Sequence, residues 1–149
     1  MTHTVRKRLE ELEGEVDGDI AVTSISVNGL GTWKIATISL GAAELGGAET
    51  NTSFTFPANG AILLDAWIKV TDAESGTIDV GTQGTSNDPD GILDGVSVAT
   101  LGYVGQVLAA KGLLLNGFIT GADPVSVTAS GDLNSCAATL YISYIELPA

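Results

Sequence analysis

Four aspartates, Asp79, Asp88, Asp90 and Asp94, fall within the stretch GTIDVGTQGTSNDPDGILDGVSVAT at residues 76–100, close enough in sequence to share a hard cation. Read as an EF-hand, Asp88 would take the third position, Asp90 the fifth, Gly91 the sixth and Asp94 the ninth. The ends do not fit. The first and twelfth positions would be Ser86 and Ser97, where a carboxylate and a bidentate Glu are required, and no helix precedes the loop. A looser calcium site on Asp88, Asp90 and Asp94 stays open beside a plainer reading, in which Asn, Asp, Pro and Gly form a surface turn without any ion.

Other chemistry is thinly supplied. The single histidine, His3, and the single cysteine, Cys136, lie at opposite ends of the chain, so a nucleophile–base pair and a zinc site both lack their parts. Cys136 also leaves no internal disulfide and is expected to be a buried small hydrophobe. The glycine-rich GLGTWK and GAAELGG lack the phosphate-binding pattern and a following helix. No catalytic residue, cofactor or resident metal is expected, and the chain does not read as an enzyme. Trp33 and Trp67 could serve as stacking platforms for sugars, but a Trp among few aromatics is more often a core or subunit-interface anchor.

What must hold these residues is a core of small apolar side chains. The chain has 149 residues, 44% hydrophobic but only 5% aromatic, with nineteen glycines. That suits one domain of short strands and tight turns. Its six basic residues stand against eighteen acidic ones, a net charge of −12, which repels phosphate backbones and argues against nucleic acid. No apolar run approaches the roughly 20 residues that span a bilayer or opens the chain as a signal peptide, so a membrane partner is not expected and synthesis in the cytoplasm is.

Residues 1–18 read as a separate N-terminal arm, a short amphipathic helix. Val5, Leu9, Leu12 and Val16 recur at coiled-coil spacing, and in a parallel pair Arg8 would face Glu13 of the partner strand. Three readings stand open: a self-associating arm, a helix docked on its own domain, and a frayed terminus.

From residue 19 the period becomes that of strands. AVTSISV, WKIATISL, TSFTF, AILLDAWIKV, TIDVG, VGQVLAA, LLLNGFIT, VSVTA and ATLYISYIEL give about nine, with NGLG at residues 28–31 as a hairpin signal. In AILLDAWIKV, strict alternation puts Ile62, Leu64, Ala66, Ile68 and Val70 on one face and Ala61, Leu63, Asp65, Trp67 and Lys69 on the other, a half-polar face for another subunit or loop to cover. A possible helical turn falls near Ile92 to Val96. The architecture expected of residues 19–149 is all-β, a jelly roll or a related antiparallel β-sandwich, with an immunoglobulin-like sandwich second.

The run from AILLDAWIKVTDAESGTIDVG through DPDGILDGVSVATLG, residues 61–102, resembles a segment of capsid decoration (cement) and head-fibre proteins of tailed bacteriophages. The resemblance implies a jelly-roll or sandwich body on the capsid exterior of the virion, commonly a homotrimer, that binds the major capsid protein and secures neighbouring capsomers. It also implies an N-terminal arm that contacts the capsid or a neighbouring subunit, and makes the Asp-rich stretch a loop between strands. The alternative is a carbohydrate- or receptor-binding module on a fibre or particle surface, with Trp67 and that loop as its site. A third reading is a generic sandwich subunit of a tail or baseplate.

If the arm self-associates, deleting residues 1–16 lowers the oligomeric mass seen in sedimentation. An unchanged mass assigns the arm to one of its other two readings.

Overall fold

The computed structural model describes residues 25–27, 29–85 and 87–149; the N-terminal arm and its Val5, Arg8, Leu9, Leu12, Glu13 and Val16 lie outside them, as does the boundary at residue 18. The strands are β1 (Ile25–Val27), β2 (Gly31–Leu40), β3 (Thr50–Thr55), β4 (Ala61–Asp72), β5 (Thr77–Thr82), β6 (Asp88–Ser97), β7 (Gly102–Val104), β8 (Phe118–Ile119), β9 (Pro124–Ala129) and β10 (Ala137–Glu146). A single 3₁₀ turn at Leu108–Ala110 is the one helical element among the described residues.

The first sheet runs β1-β2-β10-β4-β7, with β8 also paired to β4, and the second runs β3-β9-β5-β6; every pairing is antiparallel. If β7 and β8 are taken as two pieces of one edge strand, the chain passes between sheets in the order of a jelly roll. The last strand, β10, closes the fold by entering between β2 and β4.

Alternation explains the core. Ala36, Ile38 and Leu40 of β2 point inward with Ala138, Leu140 and Ile142 of β10, while Ile35, Thr37 and Ser39 are exposed. Ile78 and Val80 of β5 and Val125 and Val127 of β9 meet them from the second sheet. Each fully buried Ile or Leu contributes on the order of 1.5–3 kcal/mol relative to exposure. Phe54, Phe56 and Tyr144 fill one part of the interior, their ring centroids 5.3, 5.6 and 5.8 Å apart in edge-on or tilted pairs. Leu45, Leu133 and Cys136 are buried from the loops, held by the Leu133 N–H donating to the Leu45 carbonyl at 2.9 Å.

The structure corrects the sequence reading in three places. The stretch expected to be an Asp-rich loop, with a helical turn near Ile92, is instead strand β6, the edge of the second sheet. Its turn chemistry serves a bulge: Asp94 and Gly95 together face the single residue Asp79, Gly95 takes φ +61°, and its N–H donates to Asp79 Oδ1 at 2.7 Å. Strict alternation also fails in β4. Leu63 pairs with Tyr144 and Asp65 with Ser143, so Leu64 is an extra residue, and Ala61 and Leu63 share the core with Ala66, Ile68 and Val70. Third, VGQVLAA and LLLNGFIT form mostly turns, leaving only the short β7 and β8.

Two glycines show how tightly β6 is held. A Cβ at Gly81 would overlap the Asp88 carbonyl oxygen and the Pro89 carbonyl carbon, and one at Gly112 would overlap the backbone of Gly91. Gly81→Ala is therefore expected to destabilise the fold by about 3 kcal/mol or more, because backbone must move to admit the methyl group. Gly41→Ala, which meets open space at an ordinary φ, should change the urea midpoint little.

Candidate assembly surface

Eight aromatic side chains are available, two Trp, three Tyr and three Phe. Phe54, Phe56 and Tyr144 are in the core. The other five, Trp33, Trp67, Tyr103, Phe118 and Tyr141, all belong to strands of the first sheet and occupy its outward positions.

Strand register builds this face row by row. Tyr141 lies between Thr37 and Trp67, and Thr139 between Ser39 and Lys69, which in turn faces Tyr103. Trp67 stacks on Tyr141 with centroids 5.7 Å apart and planes 14° from parallel. Lys69 Nζ sits over the Tyr103 ring, 5.6 Å from its centroid. Trp33 Nε1 donates to Ser143 Oγ at 2.7 Å, which fixes its indole against the sheet. Ile35, 43% exposed, extends the apolar surface beside it.

Lys111 Nζ on this face reaches Asp65 Oδ1 and also donates to the Ala66 carbonyl. Lys34 pairs with Glu146 at the end of the sheet, on the inward side with Tyr144. The outward side of the second sheet is polar by contrast. Thr128 faces Asp79, and Ser126 donates to Glu49 Oε1 at 2.9 Å. The two sides of the sandwich thus offer different chemistry: rigid, pre-stacked rings on one, hydroxyls and carboxylates on the other.

Trp67 lies on this face. One side of its ring is taken by Tyr141, which leaves a half-buried indole in place of a free platform. The rest of the face was not legible from AILLDAWIKV alone. The signal was the spacing of Tyr141 and Tyr144, three residues apart in one strand and therefore on opposite sides.

The aspartates behave otherwise. Asp88 and Asp90 hydrogen-bond to each other, Asp79 is engaged with the Gly95 N–H, and Asp94 is exposed on the bulge. Among the described residues no three acidic, His or Cys side chains converge to hold a metal ion. The described residues contain no histidine, and Cys136 is 2% exposed with its thiol pKa pushed up, first by burial and then by Glu74 and Asp72.

Burial, followed by the hydrogen bond that the protonated Asp88 donates to the Asp90 side chain, raises the pKa of Asp88 above the ordinary 3.8. The folded chain therefore holds this proton more tightly than the unfolded chain. Its contribution to stability is fully present below pH 3.8 and is lost as pH rises through the raised value. Asp88→Asn should remove that loss, so urea midpoints measured on either side of the window should differ less in the variant than in the wild type.

No protein-family model and no curated protein matches this chain. Among the solved structures that share its fold are two phage capsid chains. A chain of the cyanophage Pam1 capsid asymmetric unit superposes with a TM-score of 0.57 at 19% identity, over 89% of this chain and 99% of that one. A chain from the capsid of Ralstonia phage GP4 gives 0.57 at 16% identity, over 85% and 92%. The likeness takes in nearly the whole of each neighbour, so both are chains of about this size built as the same sandwich.

Proposed function

We propose that this chain is a structural protein of a phage virion, a decoration or cement protein that binds the outer surface of the capsid as a symmetric homo-oligomer and stabilises the shell. The observation that carries the reading is the shared fold along nearly the full length of two phage capsid chains. The resemblance of residues 61–102 to decoration proteins points the same way. The partner is the major capsid protein, the place is the capsid exterior, and a trimer is the expected assembly. The role needs no reactive group.

The aromatic face of the first sheet is the surface this reading assigns to the shell. Stacked Trp67 and Tyr141 lose little conformational freedom on docking, and large rigid rings are what dominate interface energies. The N-terminal arm adds a second contact, to the shell or to a neighbouring copy. Repetition supplies the strength: an oligomer engaging several equivalent sites converts modest affinities into slow release, because all contacts must fail together.

The test is to add purified protein to undecorated capsids and measure occupancy together with the temperature of genome release. Wild type should saturate the shell and raise that temperature, and Trp67→Ala should weaken binding at least about tenfold per site. No occupancy, or full occupancy with an unchanged release temperature, would refute the stabilising role.

A further inference from the structure

Six of the eight exposed large hydrophobic residues among those described fall between residues 101 and 118: Leu101, Tyr103, Val107, Leu108, Leu113 and Phe118. Leu108 and Leu113 are 87% and 93% exposed, nearly as open as in an unfolded chain. The segment itself is anchored. Gly112 and Leu114 N–H groups donate to the Ile92 and Gly91 carbonyls, Asn116 N–H to Leu63, and Ala110, Leu114 and Leu115 pack on the core. It therefore bridges β4 and β6 along one side of the sandwich with an inner apolar row and an outer one. A cleft of about 360 Å³ opens beside it, lined by Val96, Tyr103, Val104, Val107 and Ala110.

Charge identifies the occupant. From residue 95 to residue 122 there is no acidic residue and one lysine, Lys111, already paired with Asp65, in a chain that carries eighteen acids. Two copies at −12 each repel wherever carboxylates meet, and this tract is where they can approach without that cost. A foreign partner selected by this protein's charge would be basic and would seek the carboxylates that the tract lacks. We infer that the tract at residues 101–118, with its cleft, is the contact between copies of this chain, arranged around a rotation axis, centred on Leu108 and Leu113 and bordering the aromatic face, with which it shares Tyr103 and Phe118. This deepens the assembly reading above, but it can fail separately.

The experiment uses the full chain. Leu108→Asp with Leu113→Asp should raise the self-dissociation constant in sedimentation at least about tenfold, with unchanged circular dichroism, since both side chains lie in solvent. In parallel, Leu113→Cys should form a covalent dimer under mild oxidation, whereas Cys at exposed Thr55 on β3 should not; the native Cys136 is buried and does not interfere. The cysteine pair decides the matter if the double variant fails to fold. A monomeric wild type, an unchanged dissociation constant, or equal cross-linking at both sites overturns the inference. So does a double variant that stays oligomeric but no longer binds capsids, which would give the tract to the shell. A wild type that self-associates through the tract without binding capsids would instead overturn the decoration role alone.

Discussion

The structure depends on β10, the last strand, lying between β2 and β4. Ladders form on both of its sides, so its alternation is imposed on two neighbours at once. Ala138, Leu140, Ile142 and Tyr144 complete the core, while Tyr141 and Ser143 provide the outward contacts of Trp67 and Trp33. A slip of one residue here would exchange the two sets and put aromatic rings and hydroxyls where close packing is needed. The same constraint thus organises the interior and the surface proposed to act.

Much of this was legible in the residue pattern. ATLYISYIEL and WKIATISL alternate as half-buried strands, and frequent Gly and Asn breaks leave no room for crossover helices, so a two-sheet antiparallel sandwich follows. The bulges were not legible. Leu64 is an ordinary strand residue, and nothing in its type announces that it is the extra one; only pairing with Ser143 and Tyr144 reveals it. Asp94-Gly95 carries the chemistry of a turn, and a Gly at φ +61° serves a turn and a bulge equally well. That is why β6 reads as a loop until β5 is placed beside it. The requirement for Gly at residues 81 and 112 is likewise tertiary, set by backbone that approaches from distant or separate segments.

The sandwich has three kinds of surface, and their chemistry divides the work that an assembly protein must do. Stacked aromatics suit a large, mostly apolar contact. An edge without carboxylates suits contact between copies of a polyanion. The acidic remainder keeps those copies apart elsewhere, which limits association to the intended sites. Shape and multiplicity carry the proposed role, and the polar groups at hand are spent on the fold: Asp79 on the bulge, Asp123 on the Thr85 N–H, Ser143 on Trp33.

The central claim is that the aromatic side of the first sheet meets the shell. Covalent footprinting of the protein, free and on capsids, reads this directly. Labelling of Trp33 and Trp67 should fall on binding while carboxylate labelling of Asp79, on the opposite side, stays as it was. Protection of Asp79 with the tryptophans still open to reagent would contradict the account.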